Sequence, residues 1–263
     1  MKTTLSAMSL SFMLGFTGAV NASDFAKLDE ALPTNGIINN LEPVFDFDGD
    51  GCLPSAGISR LGQQNAGLKT SGKITGGCRS GNFMLTSNTV HRYVCKTVSG
   101  NKYCGHIYAL YFEKDQIFNY IGGGHRHDWE HAAVWTKNGV VTHGTYSSHG
   151  NQTTKAASEL PFQGKHLKIV YHKDGVTTHA FRFAKNNEYA ENPYGAFLMP
   201  TIVSWYQMEG DGLSNQQMRS KLNSFNYGSA TLPVKDSHFL NNINNGKPSS
   251  YPSFTHSDVN ASQ

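Results

Sequence analysis

From residue 89 onward, the chain consists of short runs in which apolar and polar residues alternate, separated by glycine-containing dipeptides. These runs are rich in β-branched and aromatic residues, which is typical of strands with one buried face. Asn138-Gly139 and Asp174-Gly175 favour the positive φ angles of tight hairpins, and Ser99-Gly100 holds an equivalent place. The pattern predicts three hairpins: residues 89–98 with 101–112, 129–135 with 140–146, and 167–171 with 176–183.

Helix signals lie mainly near the end of the chain. Ser214 and Gln217 match a capping box. Three later apolar residues share one helical face: Met218, Leu222 and Phe225. We predict a second helix that Asp236 caps and that ends at Gly246.

A third, short helix is predicted for residues 23–32, with Ser23 as its cap and Phe25 and Leu28 on one face. Strands still dominate, and the chain shows neither repeats nor linkers. We therefore predict an all-β fold with peripheral helices, built as a single β-sandwich domain over residues 23–263.

The first 22 residues have the pattern of a secretory signal peptide. Lys2 precedes an apolar run over residues 5–20, and small residues lead to a cleavage site after Ala22. The run is short and holds several serines and glycines, so a membrane-spanning helix fits it less well. We expect a soluble, secreted protein without a transmembrane segment. Losing Lys2 changes the formal charge from +3 to +2, which gives no reason to expect a nucleic-acid partner.

All four cysteines lie after the predicted cleavage site, where an oxidising environment favours two disulfides. Four cysteines allow three connectivities. A two-residue turn at Ser99-Gly100 places Cys95 opposite Cys104, close enough to form a bond. By elimination, Cys52 then pairs with Cys78.

An acidic turn near the start repeats the first half of a calcium-binding loop. Asp46, Asp48 and Asp50 alternate with other residues before Gly51. An EF-hand would also need a glutamate at the twelfth position, which here is Gly57. The turn is therefore either a partial calcium site or a purely structural acidic turn.

Residues 122–131 concentrate three glycines, three histidines and two carboxylates. In a strand, Asp128 and Glu130 share one face while His131 lies on the other. Two carboxylates this close need a positive partner, and the glycines allow His125 to approach them. Oxygen ligands with one imidazole favour Mg²⁺, Mn²⁺ or Ca²⁺ over zinc.

In a helix, the same stretch supplies a different site. His127, Glu130 and His131 form the H-x-x-E-H pattern of a zinc metalloprotease, with two zinc-binding histidines and a catalytic glutamate. The glycine entry and the Asn138-Gly139 turn leave few residues for such a helix. The strand interpretation is therefore favoured, and the protease is the alternative.

Residues 124–130 read GHRHDWE and resemble the signature heptapeptide of the necrosis- and ethylene-inducing peptide-like proteins. Residues 107–115, ending in a lysine-aspartate pair, resemble the strand that precedes this signature in the family. His149-Gly150 and Thr178-His179 lie where the family has further histidines. The four cysteines and the acidic turn resemble a subgroup with a second disulfide and an added calcium site. The resemblance covers roughly residues 40–240.

The resemblance implies a secreted cytolysin, not an enzyme, with a β-sandwich similar to actinoporins and fungal lectins. Such proteins bind glycosylated inositol phosphorylceramides of plant plasma membranes through a divalent cation and then damage the membrane. By position, the metal ligands would be Asp115, His125, Asp128 and Glu130. His149 and His179 would line the cleft, while Arg126 and His127 would fix the loop. Thr178 stands where the family has an aspartate. A carbohydrate-binding lectin without lytic activity is a further alternative.

Overall fold

The computed structural model describes residues 25–38 and 40–263, and its strands form two sheets. The predicted signal peptide lies outside the described residues. The larger sheet has the spatial order β10-β2-β3-β4-β5-β6. Its strands, in chain order, are β2 (Asn88–Val98), β3 (Asn101–Phe118), β4 (Gly122–Lys137), β5 (Val140–Ser148), β6 (Asn151–Ala156) and β10 (Thr201–Ser204).

The smaller sheet has β8 at its centre. Its strands are β1 (Val44–Phe47), β7 (Phe162–Gln163), β8 (His166–Lys173) and β9 (His179–Phe183). Short 3-10 turns lie at Phe83–Leu85 and Ala157–Glu159. The predicted all-β sandwich is thus confirmed. Among the described residues, no helix is long and apolar enough to cross a membrane.

Two hairpins form at the predicted turns. Ser99 (φ 48°) and Asn138 (φ 51°) each precede a glycine of positive φ, as tight hairpin turns require. The β2–β3 register places Cys95 opposite Cys104, and this disulfide is formed, as is the one between Cys52 and Cys78. The third pair, β8 and β9, is antiparallel as expected, but residues 174–178 form a longer loop and β9 begins at His179 instead of residue 176.

Side-chain alternation on β3 builds two cores on opposite faces of the larger sheet. Tyr108, Leu110 and Phe112 pack between the two sheets. Ile107 and Tyr111 point the other way, into a core that the C-terminal helices close. The larger sheet is therefore buried on both faces, which explains why β3 is almost continuously buried.

Three helices cover the second core: α1 (Asn215–Ser224), α2 (Phe239–Gly246) and α3 (His256–Ala261). The Ser214–Gln217 capping box forms as predicted. The predicted cap of α2 is wrong, because His238 holds that position and Asp236 instead accepts hydrogen bonds from Arg92 (2.8 Å) and Trp205 (3.2 Å). Helix α3 was not predicted from the sequence.

The predicted N-terminal helix is also wrong in its described part, residues 25–32, which contain no helix. The backbone there bonds to neighbouring segments, with Ala31 N–H donating to the Ile202 carbonyl at 3.0 Å. Phe25 and Leu28 are buried as expected. Burial of Phe25 and Leu28, three positions apart, is thus compatible with a non-helical segment as well as with a helix.

Candidate metal centre and groove

The GHRHDWE stretch lies in strand β4, where it pairs with β3. Gly122, Gly123 and Gly124 all have φ near +80°, a conformation that other residues rarely adopt. The register sets His125 opposite Asp115 and Asp128 opposite Phe112. Two adjacent strands therefore bring the lysine-aspartate pair and the heptapeptide together.

Asp115, His125 and Asp128 each place one ligand atom within 4.8 Å of the others. Both aspartates are buried, and His125 is half-buried. His125 Nδ1 lies 2.6 Å from the His127 carbonyl oxygen, to which it must donate a proton. Its Nε2 then carries a free lone pair, and this is the tautomer of histidine that can bind a metal ion through Nε2.

Neighbouring donors orient both carboxylates. Asp115 accepts the His179 backbone N–H at 2.8 Å and the His179 ring Nδ1 at 2.7 Å. Asp128 accepts the Tyr171 hydroxyl at 3.0 Å. Hydrogen bonds of this kind hold ligand carboxylates in the orientation that a metal ion needs.

Glu130, the fourth predicted ligand, lies on the same face but outside the three-residue cluster. Its carboxylate accepts a hydrogen bond from the Ser147 hydroxyl. Burial raises the pKa of Glu130, and the nearby charge of Asp128 raises it further. Burial also raises the pKa of Asp128, with the charge of Asp115 adding to the effect. Within the described residues, neither lysine nor arginine forms an ion pair with these carboxylates.

The cluster opens into a groove with a volume of about 530 Å³. The groove follows the edge of β4, because β5 pairs with β4 only from Ala132 onward. Hydroxyl, amide and imidazole groups line it, including Ser147, His149, Asn151, Gln152, Thr178, His179, Thr231 and Asn242. Such a lining suits a neutral, hydroxyl-rich ligand.

The second wall of the groove was not expected from the sequence. His131 lies on the face of β4 opposite Glu130, as the alternation predicts, yet the groove bends around the strand edge and reaches it. Trp129 also lines this wall. The indole Nε1 of Trp129 and the Nε2 of His131 are buried without a hydrogen-bond partner among the described residues. Tyr171 and Ser147 were likewise not predicted as site residues, because alternation within their strands was the signal that they offered.

The arrangement required for the zinc protease is not formed, because residues 127–131 are strand and not helix. His127 is buried on the far side of β4, where its Nδ1 bonds to the Tyr111 hydroxyl at 2.6 Å. Burial lowers the pKa of His127 to about 4, with the charge of Arg126 contributing. Arg126 donates to the Ala66 carbonyl at 2.9 Å. Arg126 therefore ties β4 to the loop that contains Ala66, whereas His127 ties β4 to Tyr111 on β3.

Backbone N–H groups and Arg79 hold the acidic turn. Asp46 is fully buried and accepts the backbone N–H groups of Glu191 (3.0 Å) and Asn192 (3.1 Å). Arg79 donates to the Asp48 and Gly51 carbonyls at 2.8 and 2.9 Å. Among the described residues, the three aspartates of the turn do not converge as one ligand group. The calcium site there stays a prediction.

Comparison with known proteins identifies the family of this chain. The family model described as Necrosis inducing protein (NPP1) matches residues 36–246. NLP effector protein 2 of Phytophthora capsici is 29% identical over 217 residues, which cover 76% of this chain and 74% of that protein.

Two solved structures share the fold. One, described as NLPPya in complex with mannosamine, has a TM-score of 0.70 at 24% identity and covers 87% of this chain and 99% of its own. The other, described as non-toxic HaNLP3, has a TM-score of 0.68 at 23% identity with coverage of 87% and 99%. Because the family model spans most of the chain, this protein belongs to the necrosis-inducing protein family.

Proposed function

We propose that this protein is a secreted cytolysin that binds glycosylated inositol phosphorylceramides of plant plasma membranes through a divalent cation and then permeabilises the membrane. The observation that carries the proposal is the convergence of Asp115, His125 and Asp128 at a groove lined by hydroxyl and amide groups. The proposed activity is recognition followed by membrane damage and includes no bond-breaking step.

The residues of the cluster fit a hard divalent cation, Mg²⁺, Mn²⁺ or Ca²⁺. Two buried carboxylates and one imidazole with a free Nε2 supply mainly oxygen ligands, which such ions prefer. Glu130 would add negative charge beside the ion, and Ser147 fixes its orientation. When bound, the cation would attract the hydroxyl oxygens of a sugar. The neighbouring His149 and His179 would contact the same ring from the groove wall.

The relatives support a sugar-containing target. NLPPya, a protein of the same fold, was solved in complex with mannosamine and in complex with glucosamine. The groove of this chain, at about 530 Å³, is far larger than an ion needs and falls in the range of about 300–1,000 Å³ that small organic ligands occupy. A membrane-anchored headgroup would bring the protein to the bilayer, where peripheral contact would follow.

Secretion is part of the proposal. The pattern of residues 1–22 is that of a signal peptide, and the two disulfides suit an oxidising compartment. The curated relatives carry the name of effector proteins. An effector that binds plant membrane lipids must reach the extracellular space.

The direct test is leakage of dye from plant plasma-membrane vesicles, with and without a chelator. We expect leakage that the chelator abolishes and that Asp128→Asn lowers by about tenfold or more, because a ligand of the ion is lost. Asp29→Asn is the matched control, since that aspartate is exposed and pairs with Arg60, and neither residue lines the groove.

Three results would contradict the proposal. Leakage that survives both the chelator and Asp128→Asn would remove the ion from the mechanism. Binding of soluble sugar without any leakage would show a lectin. Bound zinc together with peptide cleavage that Glu130→Gln abolishes would show a protease.

A further inference from the structure

The groove continues past the ion cluster to its second wall, which lies around the edge of β4. His131 and Trp129 of β4 lie on this wall together with Gln152 of β6 and Asn242 of α2. Thr231, in the loop before α2, is exposed at its rim. The proposed cation contacts involve none of these five residues, so they leave the second wall without an assigned role.

Two side chains of the second wall carry buried polar atoms that lack a partner. His131 is 6% exposed, and its Nε2 has no hydrogen-bond partner among the described residues. Trp129 is 7% exposed, and the same holds for its Nε1 within that part of the chain. Buried polar groups of folded proteins are nearly always hydrogen-bonded. Such atoms in the wall of a groove therefore point to partners that a ligand supplies.

Ser147 explains why the groove can pass from one face of β4 to the other. The β4–β5 ladder ends at the pair of Ala132 and Tyr146. At the next position the His131 backbone N–H donates to the Ser147 hydroxyl at 2.7 Å, and that hydroxyl donates to Glu130. A side chain thus replaces the next rung of the sheet, and the edge of β4 stays open between the ion cluster and His131.

Hydrogen bonds between separate elements hold the second wall in place. The Gln152 side chain of β6 donates to the Asn242 carbonyl of α2 at 2.9 Å. The Asn242 side chain donates in turn to the Pro233 carbonyl at 3.0 Å. The wall is therefore organised before a ligand arrives, which lowers the entropic cost of binding.

The chemistry of the second wall suits a neutral sugar ring. Its imidazole, amide and hydroxyl groups donate and accept hydrogen bonds, while Trp129, Ala230 and Pro233 add apolar surface. A sugar ring has hydroxyl groups at its edge and C–H groups on its faces, so it matches both. Among the described residues, neither lysine nor arginine lines the groove, which disfavours a phosphate or a carboxylate at this wall.

The second wall lies at a distance from the ion cluster that two linked rings can span. Asp128 and His131 are three residues apart on β4, which corresponds to roughly 10 Å of strand. A single ring at the cation cannot reach His131, but a second ring joined to it can.

We propose that the second wall binds a second neutral sugar residue, linked to the one that the cation holds. The inference rests on the proposed function, because it extends the ligand of the same groove from one sugar to two. His131 Nε2 bonds to a hydroxyl of the second ring, and Thr231 bonds to another. Trp129 packs against the C–H groups of that ring.

The test compares free hexoses with disaccharides that join them in each linkage. Glucose, mannose and galactose and their disaccharides are titrated into the secreted protein, labelled with ¹⁵N-histidine, with Mg²⁺ or Ca²⁺ present. The imidazole signals then report both affinity and location. His131→Phe keeps a buried ring but removes Nε2, and Thr231→Val removes an exposed hydroxyl group. His143→Phe is the control, since this half-buried histidine bonds to Thr142 and does not line the groove.

We expect at least one disaccharide to bind about tenfold more tightly than its component hexoses and to shift the His131 signals. His131→Phe should reduce that ratio of affinities to about one, because a buried hydrogen bond contributes about that factor. Thr231→Val should reduce the ratio by about threefold, and His143→Phe should leave it unchanged. Circular dichroism checks the fold of each variant, and Thr231→Val carries the test if His131→Phe does not fold.

Three results would overturn the inference: a panel in which no disaccharide binds more tightly than its hexoses, a ratio that persists in both groove variants, or His131 signals that stay in place when a disaccharide binds. A ratio that depends on His131 but survives a chelator would support the second wall and count against the proposed cation. Chelator-sensitive vesicle leakage without any preference for a disaccharide would support the proposed function and refute the second wall.

Discussion

The carboxylate of Asp115 links the two sheets at the ion cluster. It lies on β3 opposite His125, and both of its oxygens accept hydrogen bonds from His179 on β9 of the other sheet. The orientation of Asp115 therefore depends on the packing of two sheets. His179 is 2% exposed and stacks on Tyr171, which in turn bonds to Asp128.

This arrangement makes His179 a testable positioning residue. His179→Phe keeps the stacking on Tyr171 but removes the ring donor to Asp115, and we expect divalent-ion affinity to fall by about 10–100-fold. Isothermal titration of Mg²⁺, Mn²⁺ and Ca²⁺ measures the change. His149→Phe is the control, since His149 lines the same groove but bonds to Asp174. Equal affinities in the two variants would contradict the role.

At the scale of elements, local sequence patterns predicted most of the strands and their turns. The turns at Ser99-Gly100 and Asn138-Gly139 set the registers of the β2–β3 and β4–β5 pairs, and alternation along β4 placed Asp128 and Glu130 on one face. The start of β4 was placed too late, at Trp129, because glycines have low strand propensity. Gly122, Gly123 and Gly124 nevertheless belong to β4, where all three adopt positive φ angles.

The features that were not predicted depend on contacts between residues far apart in the sequence. Aspartate is a residue type that often caps helices, but Asp236 accepts a hydrogen bond from Arg92 of β2 instead. No local sequence pattern indicates this pairing. The Tyr171 and Ser147 contacts with Asp128 and Glu130 join strands whose packing no local pattern specifies. The family resemblance supplied Asp115, which lies ten positions from the nearest other ligand in the cluster.

The glycine run of β4 can be tested by a matched pair of substitutions. Gly123 and Gly124 have similar φ angles, +79° and +84°, so an alanine is strained by about 1–2 kcal/mol at either position. At Gly123 the nearest atoms to a new Cβ lie 3.5 Å away, whereas at Gly124 the Cβ would overlap the Asp115 carbonyl oxygen.

We therefore expect Gly124→Ala to lower the free energy of unfolding at least about twice as much as Gly123→Ala, measured by urea denaturation. Gly124→Ala should also weaken ion binding, because Asp115 must shift. Indistinguishable stability and affinity in the two variants would show that the β3–β4 pair relaxes without cost.

The whole molecule encloses a pair of histidines that must stay neutral. His91 and His106 are fully buried, with their ring nitrogens 3.2 Å apart, and His91 also bonds to Ser204 at 2.8 Å. Burial lowers the pKa of His106 to about 3, and the charge of Lys102 adds to this; burial likewise lowers the pKa of His91. In the unfolded chain both histidines titrate near pH 6.5.

The sign of the pH effect follows from these shifts. A folded pKa below the unfolded one gives stability that is complete above about pH 6.5 and is lost as the pH falls toward 3. We expect unfolding free energy to drop on acidification from about pH 7.5 to about pH 4.5. In His106→Gln the drop should be smaller by about 2–3 kcal/mol.

Urea denaturation at the two pH values measures the difference. The carboxylates Asp128 and Glu130 have raised pKa values and act in the opposite direction, but they are present in both proteins, so the comparison isolates the histidine. An identical pH dependence in wild type and His106→Gln would show that the pair does not control acid stability.

The β3–β4 hairpin carries both the ion cluster and, at its tip, the exposed side chains of Tyr120 and Ile121, with roughly 10 Å of strand between Asp115 and Phe118. If the ion cluster binds a headgroup while the hairpin tip contacts the same bilayer, the length of the hairpin fixes the distance between the two contacts. A headgroup of matching height would let the cation and the hairpin tip make contact together, whereas a taller glycan would hold the hairpin tip away from the lipid. Binding and lysis would then separate according to glycan length.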